Sequence, residues 1–157
     1  MGVNGRNYSK IKVLELIETN SNSLQDVYHL FDDEVLEWFP LIHQKSFTRY
    51  IYRFFKIVIN DVVVGLGFMG NPPLMFMNYG KHDFSIIIFK QYRSRGFGML
   101  VIEEVLNHFP EIFFIVNHKN IKMLNLLDKT NLLRNDDGKY VVFYRLNNLG
   151  LVGNNDV

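Results

Sequence analysis

The sequence predicts an α/β domain built on a mixed central sheet with helices on both faces. Three observations carry that expectation. Two β-rich runs, residues 55–59 and 62–68, flank Asn60-Asp61, and two turn-forming residues between apolar runs signal an antiparallel hairpin. Residues 84–89, FSIIIF, are nearly all apolar and rich in β-branched side chains, the pattern of a central strand buried on both faces. An amphipathic segment at 98–109 separates this run from a second apolar run at 112–116, so the order there is strand, helix, strand.

The remaining elements follow in order. Residues 10–18 read as a first strand, with Val13, Leu14, Leu16 and Ile17 as apolar bulk. After the polar TNSNS, Ser23 and Asp26 have capping-box spacing and start a helix at Leu24. Val27, Tyr28, Phe31, Val35 and Trp38 extend the helical spacing until Pro40 breaks it. A second helix is expected over 41–54, where Phe47, Tyr50, Ile51 and Phe54 recur at i, i+3, i+4 and i+7. GNPP, residues 70–73, is a loop. In the 98–109 helix Leu100, Val101, Val105 and Leu106 face inward, while Glu103, Glu104, Asn107 and His108 face out. A helix over 120–129 and a last strand over 140–146 complete the pattern. The polar or Gly/Asn-rich stretches 1–9 and 147–157 read as loose ends around a core of about 10–146, so residues 1–157 are expected to form one domain.

Composition narrows the function classes. Lys plus Arg is 17 and Asp plus Glu is 16, a net charge of +1. A nucleic-acid binder carries a basic surplus, so no nucleic-acid partner is expected. There is no cysteine, which excludes disulfides, thiolate zinc sites and a cysteine nucleophile. No His pair has metal-ligand spacing, and no metal is expected. No apolar run reaches the ~18 residues of a membrane span, and MGVNGRNYSK lacks the apolar core of a signal peptide. The expectation is a cytoplasmic protein with no membrane partner.

The segment FKQYRSRGFGMLVIEEVL carries the chemistry. It leaves a buried strand, passes Gly96 and Gly98, and enters a helix. Such a junction presents backbone N–H groups at the positive end of a helix dipole, a cradle for phosphate oxygens. Glycine keeps a Cβ out of that cradle and allows the tight turn. Lys90, Arg93 and Arg95 add positive charge nearby. The third small residue of a dinucleotide fingerprint is missing, and so is the Gly-Lys-Ser/Thr of a P-loop. The same residues also fit a surface turn with solvated arginines.

YRSRGFG resembles the acetyl-CoA signature of the GNAT acyltransferases, Arg/Gln-x-x-Gly-x-Gly/Ala, with Arg93, Gly96 and Gly98 on its fixed positions. NIKMLNLLDKTNLL is similar to the family's next motif, in which Asn opens a helix that ends in a Tyr-Glu-Lys-x-Gly-Phe-like run. Asn120, Met123, Asp128, Lys129 and Leu132 fit it. Two positions depart. The family's tyrosine falls on Leu127, and the glycine before the aromatic residue falls on Asn131. The strand at 84–89 also lacks the carboxylate that many members use as a base.

The resemblance implies the GNAT fold over nearly the whole chain, and acetyl transfer from acetyl-CoA to a primary amine by direct attack in a ternary complex. The acceptor would be an amine-bearing small molecule or a protein. The pantetheine arm would pair with the backbone of Phe84, Ile86 and Ile88, in a slot where this strand splays from 112–116. The amides of Arg95, Gly96, Phe97, Gly98 and Met99 would hold the pyrophosphate, with Arg93 beside them. Asn120 would contact the end of the pantetheine, and the Ile88 amide would serve the oxyanion. Substitutes for the absent tyrosine and carboxylate are Tyr144, Asp83 and His118, each of which also has a plain role in packing, at a strand start or in a loop. Residues 24–54 and 70–83, with Trp38, Phe39, Phe47, Tyr50, Met75, Phe76, Met77 and Tyr79, would shape the acceptor site. A reading from another class is a GNAT-like protein, a viral one for instance, that binds CoA or serves structurally without turnover; the intact glycine loop opposes it and Leu127 favours it.

Overall fold

The computed structural model of the chain describes residues 13–40, 42 and 51–153. Seven strands form one sheet in the order β1-β2-β3-β4-β5-β7-β6. They are β1 (Leu14–Thr19), β2 (Ile51–Ile59), β3 (Val62–Gly70), β4 (His82–Ile88), β5 (Ile112–Asn117), β6 (Leu133–Asp137) and β7 (Tyr140–Tyr144). The sheet is mixed: β4 and β5 run parallel, and every other neighbouring pair is antiparallel.

The hairpin read from Asn60-Asp61 forms between β2 and β3, with both turn residues at positive φ, 50° and 67°. Two left-handed residues match the twist of the flanking strands, and Asn and Asp tolerate that conformation best among residues with a side chain. The Asn60 side chain also accepts a hydrogen bond from Val13 N–H at 2.9 Å, which ties the turn to the chain entering β1.

Among the described residues four α-helices lie against this sheet: α1 (Asp33–Trp38), α2 (Phe97–His108), α3 (Ile121–Leu127) and α4 (Leu146–Gly153). Alternation along β4 divides the core. Phe84 and Ile86 join Val101, Ile102 and Val105 of α2 and Leu124 and Leu127 of α3 on one face. Ile87 and Phe89 join Val35 of α1, Leu24, Phe54 and Phe68 on the other. A third cluster, Phe76, Phe113 and Val142 with Tyr79 and Tyr144, covers the second face of β5 and β7.

Several elements differ from the expectation. Residues 21–30 form a 3-10 helix capped by Asn20, whose side chain accepts from Asn22 N–H; the cap is not Ser23. A separate helix, α1, starts at Asp33 under the side chain of Asp32. Ile51 and Phe54 belong to β2, because their partners across the ladder, Gly70 and Phe68, bury them in the sheet; Phe47 and Tyr50 lie outside the described residues. A 3-10 turn, Leu74–Tyr79, follows the GNPP loop. Leu100 is exposed, and Ile102 takes its inward place on α2. β6, a fully exposed edge strand of sequence LRNDD, was not expected. The last strand ends at Tyr144, and residues 146–153 are helical, not loose. The buried Asn148 side chain anchors α4 by donating to Ile112 C=O at 3.2 Å.

The hairpin turn supports a direct test. Asp61→Gly removes a Cβ from a left-handed residue, and part of that gain is offset by the greater freedom of glycine in the unfolded chain. Stability should rise by about 0.5 kcal/mol, or ~1–2 °C in thermal midpoint by calorimetry. A fall would show that the turn geometry is not that described.

Candidate functional site

The site starts from a defect in the sheet. β4 and β5 pair only at His82↔Ile112 and Asp83↔Phe113. Beyond that rung β5 keeps its ladder with β7 through Phe114↔Phe143 to Asn117↔Tyr140, while β4 keeps its ladder with β3 as far as Gly65↔Ile88. The strands therefore diverge while each stays paired on its outer side.

The phase of the β3–β4 ladder decides what faces the gap. Phe89 N–H donates to Val64 C=O at 2.9 Å. In an antiparallel ladder hydrogen-bonded pairs alternate with non-bonded ones, so the odd-numbered backbone groups of β4 face β3. The backbones of Ile86 and Ile88 point the other way, across the gap toward β5. At the open end, the Ile88 carbonyl accepts from Arg93 Nε at 2.9 Å.

The gap is the middle of a cavity of about 430 Å³. Phe84 to Ile88 form one wall, and Phe114 to Asn117 with Tyr140 form the other. Gly98, Asn120, Met123 and Leu126 bound it on the α2–α3 face of the sheet, and Val35, Trp38, Phe39 and Pro40 bound it on the α1 face. It thus passes through the sheet, and two ligands entering from opposite faces can meet between β4 and β5.

The glycine loop stands at one mouth. Ser94 and Gly96 are both left-handed, at φ 62° and 79°, and the second of these bends the chain into α2. The first bond inside that helix runs from Leu100 N–H to Gly96 C=O. The amides of residues 96–99 therefore precede the helical ladder and sit at its positive end. Gly98 has a second reason to be glycine: a Cβ there would stand 3.0 Å from Leu126 Cδ1, so its absence lets α2 approach α3. Arg95 is exposed, with its guanidinium 5.8 Å from the Tyr92 ring.

Arg93 is engaged elsewhere. Its Nη1 donates to Asp32 Oδ2 at 2.6 Å and Glu34 Oε2 at 2.8 Å, and its Nη2 donates to Asp32 Oδ1 at 2.8 Å. The fork holds α1 against the end of β4. The side-chain hydrogen bond from Arg93 holds the Asp32 carboxyl below its usual range. On the far side of Glu34, Lys122 Nζ of α3 lies 3.3 Å away, so an ion pair spans one mouth from α1 to α3.

The other expected residues fall unevenly. The Asn120 side chain lines the cavity and caps α3 by accepting from Met123 N–H. Leu127 is wholly buried in the core, and Met123 and Leu126 of the same helix face the cavity instead. Asp83 sits at the closed end of the gap, off the cavity wall; burial pushes its carboxyl up, against its own backbone N–H and the charge of His82. Tyr144 stands outside the cavity with its ring 4.8 Å from Tyr79, and His118 binds the Lys139 carbonyl through Nδ1. Phe76 is buried in the third cluster, while Met75 and Met77 are exposed; none of the three lines the cavity. Tyr140, which the sequence did not single out, does line it, opposite β4. Its pairing with Asn117, a residue of the splayed strand, puts it there.

No family model matches the chain, and no curated protein matches it in sequence. Solved structures do match in shape. An aminoglycoside acetyltransferase AAC(6')-Ib, in complex with coenzyme A, aligns over 86% of this chain and 95% of its own with a TM-score of 0.64 at 14% identity. The spermidine N-acetyltransferase of Vibrio cholerae, in complex with CoA and spermine, aligns over 83% and 92% with a TM-score of 0.59 at 14% identity. The GNAT domain of S. lividans PAT aligns over 83% and 87% with a TM-score of 0.61 at 11% identity. The chain therefore has the α/β GNAT fold.

The Arg93 cluster yields a pH test. Asp32→Asn keeps an N-cap acceptor for Val35 N–H and removes the charge. A carboxyl whose folded pKa is depressed stabilises above its unfolded value, near ~3.9, and that contribution is lost as pH falls through the folded value. The variant should lose about 1 kcal/mol at pH 7, a modest figure because the pair is partly solvated. The difference from wild type should vanish in acid, below both values. Thermal midpoints measured from neutral to acid pH check this; a gap that stays constant with pH would contradict it.

Proposed function

We propose that this protein moves an acetyl group from acetyl-CoA to a primary amine by direct attack in a ternary complex. The observation that carries the reading is the unpaired edge of β4, with the backbones of Ile86 and Ile88 facing a through-sheet cavity beside the Gly96–Gly98 helix start. An extended arm with amide groups can complete that edge as a β-partner would, and a pyrophosphate suits the amides of residues 95–99. The solved structures of the same fold that were crystallised with CoA support it.

Bound acetyl-CoA supplies the activated acyl group. The chain's own residues supply position and polarity. Ile86 and Ile88 hold the arm in the gap, and the Ile88 N–H is the donor for the oxygen that gains charge in the transition state. Holding both reactants in one cavity lowers the entropic part of the barrier. Arg93 binds the Ile88 carbonyl, which fixes the Ile88–Phe89 peptide, the neighbour of the one that carries the Ile88 N–H. It therefore serves as a positioning residue, and the charge near the phosphates comes from Arg95.

Proton transfer falls to a different tyrosine from the one expected. Tyr140 is the tyrosine in the cavity wall among the described residues, and its hydroxyl can return a proton to the departing sulfur. The demand on it is modest, because a thiol with a pKa near ~8.5 departs readily as thiolate. The attacking amine must be neutral, so the rate should climb with pH toward the acceptor's pKa. Binding of CoA without turnover is the second reading, favoured by the buried Leu127 at the family's tyrosine position.

CoA at a hundredfold excess over its Kd should stabilise the fold by about 2.7 kcal/mol, and NAD and ATP should not. Arg95→Glu, a change on an exposed side chain, should weaken CoA binding at least tenfold, which is ~1.4 kcal/mol. Calorimetry on wild type and variant decides both; no heat and no thermal shift with millimolar CoA would remove the functional reading. In a thiol-release assay Tyr140→Phe should lower kcat only modestly, by about two- to fivefold, while leaving CoA affinity intact. An unchanged kcat would clear Tyr140 of the role, and no release with any amine by a CoA-binding protein would favour the second reading.

A further inference from the structure

The charges at the α1 mouth point to the acceptor's chemistry. We infer that the acceptor is a primary amine with a single positive charge on an apolar body, and not a polycation. The inference rests on the acetyl-transfer reading and concerns the half of the cavity opposite the glycine loop.

That half is apolar and aromatic. Trp38, Phe39 and Pro40 border it from the α1 side, and Ile87, Ile115 and Tyr140 border it from the sheet. Its shape is held from behind: Phe39 packs edge-on against Phe68 at 5.3 Å, and Tyr140 packs edge-on against Phe76 at 6.0 Å. Such walls favour an apolar body and can receive an ammonium against a ring face.

Two carboxylates reach the wall, Glu34 and Glu37. Glu34 is already matched. With Asp32 it contributes two negative charges, and Arg93 with Lys122 contributes two positive ones, all within ion-pair distance. Glu37, almost one turn further along α1, is exposed and has no ion pair or hydrogen bond among the described residues. It is the one unmatched carboxylate among the described residues of the wall. Across the mouth stands Lys139, its Nζ 5.5 Å from the Tyr140 ring, with no carboxylate partner among the described residues.

A monoamine meets one carboxylate and an apolar wall. The further ammonium groups of a polycation find no other unmatched carboxylate among the described residues of the wall and meet the unmatched charge of Lys139. Like charges at close quarters suppress the wrong partner, as an added attraction selects the right one.

The test compares 2-phenylethylamine and hexylamine with spermidine and kanamycin. Thiol release from acetyl-CoA gives kcat/KM, and calorimetry of each amine on the protein–CoA complex gives affinity even where turnover is absent. The monoamines should exceed both polycations at least tenfold. Glu37→Gln should raise the monoamine KM fivefold or more with little change in kcat, and Lys139→Glu should narrow the gap to spermidine. Equal or greater affinity for spermidine or kanamycin, no binding of either monoamine to the CoA complex, or indifference to Glu37→Gln would overturn the inference. Absence of CoA binding in the same calorimeter would instead overturn the acetyl-transfer reading.

Discussion

Everything at the site depends on one broken ladder. β4 and β5 share two rungs, at residues 82–83 and 112–113, and then separate. A buried sheet normally satisfies its backbone groups, since an unpaired buried amide is costly. Here the separation leaves the backbones of Ile86 and Ile88 facing a cavity, and the outer ladders with β3 and β7 carry the strands apart without loss of order. On the reading proposed above, the fold reserves a strand position for an extended ligand. The helix start at Gly96 and the apolar walls matter because they lie at the two ends of that position.

The second constraint is electrostatic. Arg93 reaches from the end of β4 to Asp32 and Glu34 at the start of α1 and also binds the Ile88 carbonyl. One guanidinium thereby fixes the helix that borders the α1 mouth of the cavity and the peptide at the open end of the gap. Bidentate geometry gives this pair an orientation that a lysine could not supply. Since Lys122 completes the cluster from α3, the two faces of the sheet are joined across the cavity by charge as well as by packing.

Much of this was legible in the sequence because it is local. The Asn60-Asp61 turn, the FSIIIF run and the spacing of Gly96 and Gly98 each express a short-range rule, and each lies where expected. The splay of β4 from β5, expected from the family resemblance, is also present. The misses are of another kind. LRNDD forms an edge strand, β6, because β7 offers it a partner, and with both faces exposed it needs no apolar alternation. Ile51 and Phe54 match a helical period by coincidence, and the ladder with β3 overrides it. The carboxylate partners of Arg93 were not legible because they lie about sixty positions away in sequence. Tyr140 was not singled out because its place in the cavity wall depends on the register of β7 with β5, which no local pattern encodes.

Amide hydrogen exchange resolved by residue tests the central claim most directly. In the free protein the amides of Ile86 and Ile88, which face the gap, should exchange faster than those of Ile87 and Phe89, which face β3. Saturating CoA should slow the first pair by at least tenfold and leave the second pair nearly unchanged. Equal protection of all four amides in the free protein, or tight CoA binding with no added protection at Ile86 and Ile88, would contradict the reserved strand position.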